Sequence, residues 1–220
     1  MENVIKLQDV TEGASPKISK ASKMPCRSWS LEAGTTCPGS KDDPACEGCY
    51  AKGGNYRFKN VRAVREHNRS DWRHDDWVDV MTQEIGQNDL YFRWFDSGDM
   101  YALDLAEKIY QVMVATPRTM HWLPTRMYKF EKFQHIIRKM EKLPNVVVRK
   151  STPGINTEPM EGNTVSVIFS DTAPDDSEVC NAPANKGKCG TCRACWNKDI
   201  RVIAYAAHGA KMNNLIKAAQ

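Results

Sequence analysis

Seven of the eight cysteines in this chain fall into two groups that repeat one spacing, Cys-x8-Cys-x2-Cys. The first is Cys37, Cys46 and Cys49, in CPGSKDDPACEGC. The second is Cys180, Cys189 and Cys192, in CNAPANKGKCGTC, and it continues at the same step to Cys195. Thiolates two residues apart on a tight turn grip a single metal or cluster. The loop before them returns a third thiolate, and Gly48 and Gly190 inside the turns let the sulfurs converge. Four thiolates close a site, whereas three leave a coordination position open, so the asymmetry between the groups bears directly on function.

Cysteine also serves as a small buried hydrophobe or in a disulfide. The N-terminus, MENVIKLQDVTEGASPKISK, offers no basic region followed by an apolar core, and no apolar run is long enough to cross a membrane. The expectation is therefore a chain kept in a reducing cytoplasm, where such clusters are metal or redox sites. Zinc and iron–sulfur both fit the sulfurs at this stage.

The 220 residues, 41% of them apolar, suffice for one large domain with a real core. The net charge of +4 permits contact with nucleic acid without arguing for it, because no Lys/Arg block stands out. Residues 1–22 are polar and read as a lead-in to a single domain over 23–220, with the four-cysteine segment at about 180–196.

From there strand and helix patterns alternate. Strands are predicted at Cys26–Leu31, Leu90–Phe95, Met120–Leu123, Val146–Val148, Val165–Phe169 and Ile200–Ala206. Helical spacing joins Trp77, Val80, Met81 and Ile85 behind a cap at Ser70. It also joins Leu103, Ala106, Ile109, Tyr110 and Met113 before Pro117, and Phe130, Phe133, Ile136, Ile137 and Met140 before Pro144. Pro153-Gly154 reads as a turn. This βα alternation with continuous apolar strands predicts an α/β fold on a parallel sheet. A partial (β/α)6 barrel of the TIM type is favoured over an open doubly wound sheet, because polar residues follow every strand rather than one switch point.

Those residues are Asp96, Ser97, Asp99, Arg126, Arg149, Lys150, Ser151, Asp171 and His208, and both cysteine groups also follow strand ends. Plainer readings exist: Asp96 and Asp99 as helix caps, and Arg126, Arg149 and Lys150 as solvated strand ends, while His121, within a strand and outside this set, reads as a hydrogen-bonded core residue. The set's coincidence on one rim is what argues for a site. Cys26, the eighth cysteine, opens the first strand, and Cys37 lies past its end. At about 3.3 Å per residue the two stand roughly 20 Å apart, which favours three ligands for the first group; should the segment loop back instead, Cys26 completes a four-thiolate site.

A six-stranded partial barrel with a three-cysteine loop after the first strand and Tyr50 directly after Cys49 resembles the radical SAM superfamily. The resemblance implies a [4Fe–4S] cluster at Cys37, Cys46 and Cys49 whose open iron binds S-adenosylmethionine. It also implies contact between the methionine amino group and the segment Ser97-Gly98-Asp99, and an auxiliary cluster at Cys180, Cys189, Cys192 and Cys195. The first gap here is eight residues where the superfamily has three, and its Gly-Gly-Glu-Pro is not matched. More closely, KMPCRSWSLEAGTTCPG, CEGCYAKGGNYRF, FRWFDSGDM, WLPTR and CGTCRACW are similar, in that order from about Lys23 to Trp196, to a phage-borne family called gene product eighty-eight.

The combined expectation is an iron–sulfur protein with two [4Fe–4S] clusters, phage-encoded and acting in the host cytoplasm. Ser97, Gly98, Asp99, Arg126, Arg149 and Ser151 would hold a small-molecule ligand against the first cluster. No catalytic residue is assigned. The alternative is a non-catalytic protein, stapled by clusters or zinc, that binds a host protein or nucleic acid.

Overall fold

Residues 13–21 and 23–218 are described by the structure, a computed structural model. Their strands are β1 (Ser19–Lys20), β2 (Arg27–Trp29), β3 (Tyr91–Trp94), β4 (Met120–Thr125), β5 (Val146–Ile155), β6 (Val165–Phe169), β7 (Glu178–Val179) and β8 (Val202–Ala206). The helices are α1 (Pro44–Glu47), α2 (Lys59–Asp71), α3 (Trp77–Asn88), α4 (Leu103–Ala115), α5 (Glu131–Lys142) and α6 (Ala210–Ala218). All eight strands join one sheet in the order β1-β2-β3-β4-β5-β6-β8-β7. The β1–β2 pair is antiparallel and every other neighbouring pair is parallel. The protein is thus a mixed α/β fold on a mostly parallel sheet.

Helices α3, α4 and α5 cover one face of that sheet because each carries an apolar stripe at helical spacing. Trp77, Met81 and Ile85, then Leu105, Ile109 and Met113, then Phe133, Ile136 and Met140 pack on Trp29, Phe92, Trp94, Leu123, Val146 and Val148. Side chains this deeply buried contribute about 1.5–3 kcal/mol each. Within this core His121 accepts a hydrogen bond from the Trp94 indole at 3.2 Å and lies 2.8 Å from the Thr116 hydroxyl. Burial holds its ring neutral, with a pKa lowered to about 3.

Three features depart from the sequence expectations. Helix α2 was not delimited, since its buried residues are Arg65, Asn68 and Asp71 rather than an apolar stripe, and Ser70, expected to cap α3, lies inside it while Asp76 holds the cap position. Those polar groups are satisfied by the preceding chain: Asn68 bonds both backbone groups of Lys17 and the Ser30 carbonyl, and Asp71 accepts the Ser15 N–H. The expected lead-in over residues 1–22 is therefore pinned from Ala14 onward, while residues 1–12 and 22 lie outside the described residues. Pro153-Gly154 is not a turn but part of β5, where the register with β6 shifts between Ser151 and Ile155. Such a bulge accommodates a residue without an N–H.

The third departure concerns the other face of the sheet. Alternation in register places Ser28, Arg93, Trp122, Val147, Arg149, Ser151, Ser166 and Tyr205 there. On it Trp122, Arg149 and Tyr205 meet the second cysteine segment. Arg149 donates to the carbonyls of Ala194, Cys195, Asn197 and Ile200 at 2.9–3.1 Å, and the Trp196 indole donates to the Phe92 carbonyl at 3.0 Å. The Cys189 N–H reaches the Lys23 carbonyl, ahead of β2. The second cysteine group was expected beyond the strand C-termini. Instead its last residues lie beneath the sheet, towards the strands' N-terminal halves.

Candidate functional site

The first cysteine group sits where β3 and β4 end. Cys37 leads into a short turn, Pro38–Ser40; Cys46 lies in α1; Cys49 precedes the turn Tyr50–Lys52. Backbone bonds from Cys46 to Asp43 (2.8 Å) and from Cys49 to Cys46 (3.3 Å) fold the loop on itself. Two glycines let it lie close. A Cβ on Gly39 would stand 2.7 Å from the Arg126 carbonyl oxygen, and one on Gly48 would stand 3.0 Å from Met212 of α6. The Asp99 N–H bonds the Thr36 carbonyl at 3.0 Å and ties the loop to the end of β3.

Burial pushes the Cys37 thiol up to about 12, and negative charge on Asp99, Cys49 and Cys46 adds to the rise. Burial also raises Cys46, whereas the Arg126 guanidinium pulls it down and Cys49 pushes it up. Cys37 therefore feels the charge of both other thiols, and Cys46 that of Cys49 and Arg126. The Arg126 Nε stands 3.1 Å from Asp43 Oδ2 without hydrogen-bond geometry, and both atoms are buried without another partner among the described residues. Lys129 also pairs with Asp43.

The residues expected to line the mouth divide. Arg126 is beside the thiols, with its Nη2 donating to the Thr152 carbonyl at 2.8 Å. Asp99 is buried and already accepts from the Thr125 hydroxyl (2.7 Å) and from the N–H groups of Arg126 (2.9 Å) and Met100 (2.8 Å). Burial outweighs those bonds and raises its carboxyl to about 6. Ser97 receives the Arg65 Nε and donates to the Leu31 carbonyl at 2.6 Å. Gly98, at φ +81°, is wedged between Leu31 and Thr36. Ser151 faces Ser166 at 3.1 Å, and Lys150 pairs with Glu141 at 2.9 Å. His208 is exposed and stacks on Tyr50, ring centres 6.1 Å apart. Arg149 is not at this mouth. Its guanidinium is spent on the carbonyls of the second cysteine segment.

That second group gathers more than its four cysteines. Cys26, Trp122 and Trp196 form a buried cluster with Met24, Tyr91, Met120 and Cys195 packed against it. Cys189 Sγ lies 3.8 Å from Met24 Sδ, and Cys195 Sγ lies 3.2 Å from the Tyr205 hydroxyl. Burial raises Cys26 to about 12, with the Arg93 charge opposing and Cys189 reinforcing the rise. It raises Cys189, to which Cys180 and Cys192 add, and lifts Cys195 to about 11 against the Tyr205 hydrogen bond and the charges of Arg149 and Arg93. Cys26 thus joins the second neighbourhood and stands apart from Cys37.

Arg93, which sequence reasoning passed over, lies beside the second group. It bonds Asp96 at 3.3 Å, stacks on Trp122 at 4.5 Å, and lowers Cys26, Cys189 and Cys195 through its charge. Its Nε is buried without a partner among the described residues. A cation with an orphaned N–H beside several thiols suits an anionic thiolate-bound group. Among the described residues no three His, Cys, Asp or Glu side chains converge as ligands of one ion.

Fold and sites define a cysteine-rich α/β protein whose two thiol groups occupy different parts of one mostly parallel sheet. The chain belongs to the gene product 88 family, a bacteriophage family whose sequence profile matches residues 6–198. No curated protein and no solved structure matches it. No helix among the described residues is long and apolar enough to cross a membrane.

Proposed function

We propose that this chain is an iron–sulfur protein with two [4Fe–4S] clusters. Cys37, Cys46 and Cys49 would hold one, and Cys180, Cys189, Cys192 and Cys195 the other. The observation that carries the reading is the first group's setting: three thiols on one hydrogen-bonded loop packed against Arg126, at the strand ends where parallel α/β folds bind ligands. Each thiolate of a cubane takes its own iron, so the sulfurs need to face one space without meeting at one atom as they would for zinc. When bound, a three-thiolate cluster supplies an electron and an open iron.

The protein's own residues do the rest. Arg126 favours thiolate over thiol at Cys46 and offers positive charge to an anionic ligand, so the small molecule expected here is carboxylate- or phosphate-bearing. Ser97 and Asp99 hold the loop in place through bonds to the protein's own backbone. S-adenosylmethionine, the ligand that the radical SAM resemblance nominates, would have to displace those bonds to place its amino group on Asp99. At the second group Arg149 fixes the segment by its carbonyls, and Arg93 neutralises charge.

A partial (β/α)6 barrel is the architecture we read from the sheet. From β2 through β6 to β8 the strands stand in sequence order, apart from the two-residue β7, without the reversal of a doubly wound sheet. A second functional reading is favoured by how tightly Arg149 binds the second segment into the sheet: clusters or zinc as staples for a binding protein, without catalysis. Anaerobic purification followed by reduction with S-adenosylmethionine present tests the enzymatic reading. Cleavage of the cofactor supports a radical enzyme, and its survival with both clusters intact favours redox or structural clusters.

A further inference from the structure

We propose that the face formed by residues 50–69 is a binding surface for single-stranded nucleic acid. The inference stands on surface charge and shape and does not depend on what metal the cysteines hold.

This stretch carries Lys52, Arg57, Lys59, Arg62, Arg65 and Arg69 against Glu66, six basic residues to one acidic, a net of +5 in a chain whose total is +4. The rest of the protein is close to neutral. In the sequence these residues are spaced out, and folding brings them together. Two adjoining clefts share Arg62 and Glu32. One is lined by Lys52, Arg57 and Arg65, the other by Lys59 and Glu66, so a basic cleft at the turn after Cys49 continues onto a charge-balanced stretch of α2.

Most of this charge is not needed for the fold. Lys52, Arg57, Lys59 and Arg62 are exposed. Among the described residues Arg57 and Lys59 have no acidic side chain within 4.0 Å, and Arg62 reaches Glu32 only at that limit. Helix α2 has no acidic residue in its first turn, whereas α3, α4 and α5 have Asp79, Asp104 and Glu131 there. Cations at a helix N-terminus oppose the helix dipole, so their placement costs stability unless an anion is bound. The long axis of the charge and its span over several residues suit a polyanion better than a single phosphate.

Aromatic exposure narrows the polyanion. Phe58 is 58% exposed in the middle of the basic run, and Tyr50 is 47% exposed at its start. Rings presented beside a cationic groove stack on unpaired bases, which a duplex keeps inside its own stack. Tyr50 is braced by Tyr56 edge-on at 5.6 Å and by His208 at 6.1 Å, which fixes the orientation of the ring. A phosphate backbone along Lys52, Arg57, Lys59 and Arg62 with bases on Phe58 and Tyr50 satisfies both features.

The test is fluorescence anisotropy of the full chain with a labelled oligothymidylate of about 12 nucleotides, across a range of salt. The matching oligouridylate, a duplex of the same length and vesicles containing phosphatidylserine run in parallel. Oligothymidylate or oligouridylate binding tighter than the duplex and the vesicles is expected, and the ratio of the two single strands tells DNA from RNA. The triple variant Arg57→Glu/Lys59→Glu/Arg62→Glu should flatten the salt slope by about 2, having lost three phosphate contacts. Phe58→Ala should weaken binding about tenfold with the slope unchanged. All four side chains are exposed, and unchanged metal content and circular dichroism control for folding. Tighter binding to duplex or vesicles, or triple and Phe58 variants that bind like the wild type, would overturn the proposal.

Discussion

At the residue scale, two buried titrating groups impose opposite pH dependences on the fold. Asp99 titrates near 6 when folded and 3.8 when unfolded, so between those values the native state holds the extra proton and stability falls as pH rises. His121 titrates near 3 when folded and 6.5 when unfolded, so the unfolded state holds the extra proton and stability is lost as pH falls below 6.5. Between about pH 4 and 6 the two slopes cancel. Asp99→Asn should leave the His121 slope alone, with stability climbing about 1.4 kcal/mol per pH unit, and His121→Gln should leave the same slope with the opposite sign. Denaturant unfolding at several pH values measures this, and identical pH profiles for all three proteins would contradict it.

Gly98 gives a simpler prediction. A Cβ there would meet Leu31 Cβ at 2.6 Å and Thr36 Oγ1 at 2.7 Å, at a positive φ. Gly98→Ala should cost about 2–3 kcal/mol in the same assay and loosen the loop that carries Cys37. A variant as stable as the parent would mean the loop can move aside freely.

At the element scale, β5 and the second cysteine segment form one unit through Arg149. Arg149→Met should strip four carbonyls of their donor, destabilise the protein by about 3 kcal/mol or more and release metal from the second group while the first keeps its own. Arg149→Lys should not rescue it, since an ammonium cannot reproduce the fork. Retention of all metal in the Met variant would show that the segment is held by its cysteines alone.

The same unit marks the limit of what the sequence disclosed. Helices α3, α4 and α5 and strand β6 were legible because apolar residues at their own period must be buried. Helix α2 was hidden, since Arg65, Asn68 and Asp71 look like a solvated face until Lys17, Ser15 and Ser97 arrive to bond them. The end of β5 was hidden by Pro153-Gly154, which reads as a turn unless a bulge is allowed for. The cysteine spacing named the thiols but could not say on which side of the sheet they fall. Arg149 follows that logic: within a strand, alternation permits either face, and only the carbonyls of residues 194–200 decide which.

At the scale of the whole molecule, a three-thiol neighbourhood at the strand ends stands apart from a five-thiol neighbourhood that includes Cys26 and whose last residues lie against one face of the sheet. Cys26→Ser should therefore spare the first centre, whereas Cys37→Ser, Cys46→Ser or Cys49→Ser should abolish it. Loss of the first centre in the Cys26 variant, read by iron content and electron paramagnetic resonance of the reduced protein, would mean that four thiolates close it. Arg93 acts on the second neighbourhood, where its charge lowers Cys26, Cys189 and Cys195, while Arg126 plays that part at Cys46 of the first.

The central claim is that both neighbourhoods hold iron–sulfur clusters, and anaerobic purification with iron, acid-labile sulfide and zinc analysis tests it most directly. Two cubanes predict a brown protein with about eight irons and eight sulfides per chain. A colourless protein with about two zincs per chain and no labile sulfide would contradict the claim and leave the cysteines as structural staples.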